Sequence, residues 1–379
     1  MTATQTHPTD PAPSPDSTTE DLADRVFGSA LGAIDTLTIA LGSRLGLYRA
    51  LHRHGPLTAS ELAEHTDIHP RYAREWLEQQ TVAGLLGTDD PSADAGSRRY
   101  SVPESHVPVL VDEDSLSFLA PVLSSIAAAG TQLPAIEQAF RVGGGVSWQQ
   151  YGDHMREGQA AANRPLFLTV LAQQWLPSIA DVHARLVQGG RVADIGCGYA
   201  WSSIGIASAY PDVIVDGFDV DAESVKAANR NAAAYGVAER VRVHLADGGD
   251  VPRAGEYDLV IANECVHDMP DPVSVLTGMR RLSAPGGAVL VLDERVPETF
   301  TGPGDPVEQL MYGFSVLICL PDGLSHDRSA GTGTVMRPAT LRGYAEQAGF
   351  ASVEVLPIEH DTFRLYRLHE ETGGAGLRP

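Results

Sequence analysis

VADIGCGYAWSS, residues 192–203, is the stretch that decides the fold. An apolar strand runs up to Asp194, a glycine-rich turn follows, and a helical segment begins near Trp201. Gly196 and Gly198 carry no Cβ, so their backbone can come close to a ligand. The dinucleotide fingerprint requires a third glycine three residues after Gly198, and Trp201 stands there, which weakens a pyrophosphate reading.

Working outward from that turn, short apolar runs alternate with helical segments: RVADIGC, VIVDGFD, VRVHLAD, YDLVIAN, AVLVLDE, ASVEVLPI and FRLYRL. Strands alternating with helices predict a mainly parallel, Rossmann-like α/β sheet covered on both faces. The last two runs are joined by only a few residues around His360 and Asp361, which requires an antiparallel final pair. Asp219 ends the second run, where a carboxylate can accept both hydroxyls of a ribose. Asp247 ends the third, placed to accept from an adenine amino group. All these loops fall at the carboxyl ends of adjacent strands, the crevice in which open α/β sheets bind ligands. Strand-end acids also cap helices and turns, so each alone is ambiguous.

Upstream the pattern is helical. Val26, Ala30, Ile34, Leu37 and Leu41 recur at three- and four-residue steps. Thr58 and Glu61 have capping-box spacing ahead of a short helix. Pro70 opens a second one, with Tyr72, Trp76 and Leu77 expected on one face. The β-prone runs LLGT and RRYSV follow, split by DDPSADAGS, and complete a winged helix. Residues 105–185 read as mostly helical, broken at Gly143, Gly144 and Gly145. The first 20 residues, rich in Pro, Thr, Ser and Asp without period, read as a disordered tail.

Composition narrows the function. Acidic residues outnumber basic ones 49 to 27, a formal charge of −22, which repels phosphate backbones and acidic lipids. Lys226 is the single lysine and follows no glycine-rich loop, which argues against lysine chemistry and a P-loop. Cys197, Cys265 and Cys319 have neither zinc spacing nor an even count, which fits a reducing compartment. The amino terminus lacks basic and apolar signal regions, and the longest uncharged run, 115–136, contains prolines and polar residues. The expectation is a soluble, cytoplasmic protein with no membrane partner.

With these motifs assembled, the sequence resembles the class I S-adenosylmethionine (SAM) dependent methyltransferases. It is particularly similar to the small-molecule O-methyltransferases of plants and actinobacteria, in which a winged-helix dimerisation domain precedes the catalytic domain. The segments that carry this are GLYRAL at 46–51, DIGCG at 194–198 and CVHDM at 265–269. The resemblance implies a seven-stranded methyltransferase sheet behind a mainly helical winged-helix domain. It divides the chain into a tail (1–20), a winged-helix dimerisation domain (21–105), a helical linker and pocket roof (106–185), a SAM-binding domain (186–372) and a flexible end (373–379). It further implies a homodimer, SAM as cofactor and a small-molecule substrate.

Carried over by position, Asp194, Gly196 and Gly198 line the methionine and ribose part of SAM, and Asp219 holds the ribose. Asp247 with the Gly248 backbone holds the adenine, and Asn263 contacts the amino-acid end. In the resembling enzymes the histidine of an HDW segment is the general base, and a glutamate ending the fifth strand holds its ring. Here the segment is HDM, and His267 and Glu294 stand in those places. A histidine that removes a proton from a weakly acidic nucleophile is worth about 10²–10⁴ in rate. Its alternative is a helix-start histidine bonded to backbone, and Asp268 could simply be a helix-start acid. Trp148, Tyr151, Met155 and Phe167 suit either the roof of an apolar acceptor pocket or an ordinary helical core.

Three other readings remain. Relatives that methylate carbon in 2-oxo acids bind ferric iron through two histidines. His267 with His326 could imitate them, but no ligand spacing supports it, so no metal is expected; methylation of carbon or nitrogen stays an alternative to oxygen. A winged helix could instead make a SAM-sensing DNA-binding regulator. Between 56 and 106, however, Arg71, Arg74, Arg98 and Arg99 face nine acids, which argues against nucleic acid. A SAM-binding fold that catalyses something other than methyl transfer is the third.

Overall fold

A computed structural model describes residues 18–370, so the expected flexible end at 373–379 and most of the tail lie outside the described residues. The chain forms two compact units. One holds Asp24–Gln132 and Gln149–Gln174; the other holds the residues up to Ala23, Leu133–Trp148 and the chain from Trp175 onward. The stretch expected as a linker and roof, 106–185, has residues in both units.

The first unit is built on helices α1 (Thr19–Arg44), α2 (Leu47–His54), α3 (Ala59–Thr66) and α4 (Pro70–Val82), with a two-stranded wing, β1 (Gly87–Thr88) and β2 (Tyr100–Ser101). Gly46, at φ +70°, turns the chain between α1 and α2. The capping box starts α3: Glu61 N–H donates to Thr58 Oγ1 at 3.3 Å, and Thr58 N–H donates to Glu61 Oε2 at 2.7 Å. Leu47, Leu51, Leu62, Leu77 and Tyr100 fill the core beneath the wing. Tyr72 corrects the expected α4 face, for it is 76% exposed while Ala73, Trp76 and Leu77 are buried. The apolar period of α1 is equally real but faces outward: Val26, Ile34, Leu37 and Leu41 are all at least half exposed.

The second unit carries the seven-stranded sheet. Its strands are β3 (Arg191–Ile195), β4 (Ile214–Asp219), β5 (Val241–Leu245), β6 (Tyr257–Asn263), β7 (Ser283–Glu294), β8 (Ser352–Val355) and β9 (Phe363–His369), in spatial order β5-β4-β3-β6-β7-β9-β8. The first five run parallel, while β9 is antiparallel to both β7 and β8. β3 and β6 lie at the centre with almost every residue buried, which is why they read as unbroken apolar runs. Strand order reverses between β3 and β6, and this switch point opens a crevice above their carboxyl ends. Register brings Ile195 beside Phe218 and Ala262, so the loops after β3, β4 and β6 leave the sheet at one level.

Candidate active site

Three turns line the crevice. Gly196 and Gly198 adopt φ of +65° and +52°, in the left-handed region that favours glycine. A Cβ on Gly196 would lie 2.7 Å from Cys265 Sγ, so the turn closes against the loop after β6 only with glycine there. Asp219 stands at the end of β4, its Oδ2 accepting the Gly198 N–H and its Oδ1 the Asp221 N–H, both at 2.8 Å. Burial pushes its carboxyl up, partly offset by these N–H groups. The next residue, Val220, is 65% exposed.

Asp194 does something other than face a ligand. Its carboxylate is completely buried and accepts from Ser202 Oγ at 2.5 Å, Ser203 Oγ at 2.6 Å and Asn263 Nδ2 at 3.4 Å. Burial raises its pKa to about 6. It ties the start of the helix Trp201–Ala209 to β3 and orients Asn263. Asn263 is 8% exposed, and its Oδ1 has no hydrogen-bond partner among the described residues. An orphaned buried acceptor beside the glycine turn fits the ammonium of an amino-acid ligand. Asp247 is exposed and accepts the Gly249 N–H at 2.8 Å, while Gly248 is buried with no room for a Cβ against Ile195. The residues present thus fit a ligand with an amino-acid end and a ribose.

The loop after β6 turns at Glu264, which has φ +52°, and delivers His267 into the protein, 3% exposed. Its Nδ1 lies 3.0 Å from Asp293 Oδ1 and 3.1 Å from Glu294 Oε2, both at the end of β7. Its Nε2 lies 3.2 Å from Asp268 Oδ1. Burial drags the imidazole pKa down, but the charges of Asp268, Glu294 and Asp293 outweigh it and hold it well above the ordinary value. Burial likewise lifts Glu294 to about 7. Cys319, from the π-helical turn Ser315–Cys319, completes a group with His267 and Asp268. Asp293, Asp268 and Cys319 were not singled out from the sequence as partners of His267. Asp268 is the next residue in the chain, whereas only tertiary packing brings Asp293 and Cys319 there.

The segment ahead of Trp148 is strapped to the same unit. Val146 N–H donates to Pro321 O at 2.9 Å, and Trp148 N–H to Asp322 Oδ1 at 2.7 Å. Burial, with the charge of Asp268 next, lifts Asp322 to about 7. The helical core holds Tyr151, Met155 and Phe167 of the expected roof: all three are buried and belong to the winged-helix unit, while Trp148 is half-buried in the sheet unit. His326 is exposed, with Ser325 Oγ as its neighbour, and is not among the groups gathered at His267.

Comparison with known proteins agrees with this fold. Residues 186–313 match the model of a methyltransferase domain, and residues 33–111 that of an Rv2258c-like winged HTH domain. The chain thus joins a winged helix to a SAM-dependent methyltransferase domain. It is similar to the 27-O-demethylrifamycin SV methyltransferase of Amycolatopsis mediterranei, 31% identical over 38% of this chain and 54% of that one. It is also similar to the ubiquinone biosynthesis O-methyltransferase of Bordetella avium, 29% identical over 53% of this chain and 78% of that one. The chain spans about half the length of the first. Among solved structures, mitomycin 7-O-methyltransferase superposes with a TM-score of 0.65 at 20% identity, covering 93% of this chain and 98% of that one. Human N-acetylserotonin methyltransferase, solved with SAM, gives 0.62 at 18%, covering 93% and 99%. At these identities the structures speak for the fold.

Proposed function

We propose that this protein methylates oxygen on a small phenolic or otherwise hydroxylated molecule, with His267 as general base and Glu294, together with Asp293, fixing its ring. Bound SAM would supply an electrophilic methyl group on a cationic sulfur. The protein's own work is then to hold donor and acceptor in line, worth effective molarities of order 10⁵ M or more, and to take the hydroxyl proton. The observation that carries this reading is the buried imidazole whose Nδ1 is held by strand-end carboxylates at 3.0 and 3.1 Å. Such an anchor fixes the tautomer and leaves Nε2 as the working nitrogen. Gly196, Gly198 and Asn263 would hold the amino-acid end of SAM, Asp219 the ribose, and Asp247 with the Gly248 backbone the adenine. Asp194 acts through Asn263 and the helix start. The names of the relatives support transfer to a small molecule, oxygen foremost.

The test is transfer of labelled methyl from SAM to a panel of phenols, amines and 2-oxo acids, with product mass read out. Incorporation into phenols at oxygen is expected; exclusive labelling of nitrogen or carbon would replace the reading.

The regulator reading finds little support. In the winged helix Arg71 pairs with Glu75, Arg74 and Arg98 with Glu78 at 3.1 and 3.2 Å, and Arg99 with Glu61 at 3.0 Å. Each of the four arginines between 56 and 106 already pairs with a neighbouring acid, which leaves little for phosphates.

A soluble, cytoplasmic homodimer is part of this proposal, and the outward apolar face of α1 supports the dimer. That helix is also long and apolar enough, by length and composition alone, to cross a membrane. Asp24, Arg25 and Asp35 within it favour a protein partner, since charges are costly in lipid. A double change, Ile34→Glu with Leu37→Glu, is expected to convert a dimer to a monomer in sedimentation. A wild-type chain that sediments as a monomer would remove the dimer.

A further inference from the structure

The surroundings of His267 contain more acid than a base needs. Counting protons around the ring shows what the excess does. Nδ1 faces Asp293 Oδ1 and Glu294 Oε2, and Nε2 faces Asp268 Oδ1 at 3.2 Å. A neutral imidazole has one N–H. With carboxylates on both sides, the bare nitrogen would set its lone pair against an oxygen lone pair. The two atoms are within ion-pair range without an aligned hydrogen bond, and a carboxylate that close to Nε2 favours the doubly protonated imidazolium. In this arrangement the lone pair a general base must offer is already taken.

The three acids are not equivalent. The side chains of Asp293 and Glu294 are 0% and 8% exposed, whereas that of Asp268 is 29% exposed. Asp268 is by far the most exposed of the three, and it sits on a loop and not on the strand. The groups facing the ring are Asp268 from its own loop, Asp293 and Glu294 from β7, and Cys319 from the helix behind; Asp322 faces Asp268 in turn. Among the described residues no arginine or lysine pairs with any of them.

We infer that Asp268 locks the empty site by holding a proton on His267 Nε2, and that it carries this proton to water when an acceptor hydroxyl takes its place. The N–H bond at Nε2 breaks as an O–H bond forms on Asp268, which then releases the proton to solvent. The freed Nε2 next accepts the acceptor's O–H proton as the methyl carbon leaves sulfur for oxygen. The inference rests on the base reading of His267 and makes Asp268 a positioning residue. It keeps the site without a free base until an acceptor is seated.

Imidazole nitrogen NMR on the full chain, labelled at histidine and saturated with S-adenosylhomocysteine, tests it without a known acceptor. In the wild type His267 is expected to show two protonated nitrogens at pH 7. Asp268→Asn is expected to lower its titration midpoint by about one pH unit or more, the usual effect of removing an opposite charge at this range. Asp268→Glu restores it, and the affinity for S-adenosylhomocysteine stays within about threefold, a balance that a merely structural role would not produce. A neutral His267 in the wild type at pH 7 overturns the lock even if the variants fail to fold, as does an unmoved midpoint in Asp268→Asn. The base reading fails separately, by near-normal turnover of His267→Ala.

Discussion

Replacing His267 by alanine is expected to lower turnover of a phenolic acceptor by about 10²-fold or more, some 2.7 kcal/mol of barrier, while SAM affinity stays unchanged. Affinity survives because the groups proposed to hold SAM hang on the ends of β3 to β6, whereas His267 is anchored to the end of β7. Removing one partner of a buried ionic group can cost about 3–5 kcal/mol, since it strands the others. Here the cost is softened, because burial has already lifted Glu294 to about 7 and it can take up a proton at neutral pH. His267→Asn is the sharper variant: its amide nitrogen stands near the Nδ1 position and can still donate to Asp293, yet it offers no basic nitrogen. Both variants should be equally slow, with the asparagine one melting closer to wild type. Turnover within a fewfold of wild type in either would remove His267 as base.

Much of this was legible before any coordinates, and what was not has a physical cause. The sheet was readable because β3 and β6 are buried on both faces, leaving apolar runs bounded by glycine and acid. The antiparallel end was readable because the link between β8 and β9 is too short to cross over. Asp219, Asn263, His267 and Glu294 announced themselves as polar residues ending or following such runs. Side-chain direction did not. Asp194 sits in the same motif as Gly196 but points into the protein, where Ser202 and Ser203 absorb it. Tyr72 shares helical spacing with Trp76 and yet faces solvent. Cys319 is 52 positions from His267 in sequence, and nothing local marks it. Periodicity finds a face; it does not say what covers it, which is why the α1 stripe reads as a helix without telling that it stands exposed.

Asp219→Ala is expected to weaken binding of S-adenosylhomocysteine by about 10²-fold or more. A hydrogen bond to a charged group contributes about 1.5–3 kcal/mol, and a carboxylate spanning two ribose hydroxyls makes two. The same carboxylate fixes the Gly198 and Asp221 N–H groups at 2.8 Å, so its loss also frees the turn. The stability of the empty protein should move the other way or hardly at all. Burial raises the Asp219 pKa in the folded state, so this acid favours folding in its protonated form at low pH, and that contribution is lost as pH rises through the folded pKa. Once ionised the group works against the fold, and alanine removes that penalty while giving up two backbone hydrogen bonds. Asp219→Asn keeps an acceptor without the charge and should bind with intermediate affinity. Calorimetric titration together with melting of the empty variants separates the two effects. A dissociation constant within about threefold of wild type would take the ribose away from Asp219, whereas weak binding by an alanine variant that melts normally places the loss in the contact itself.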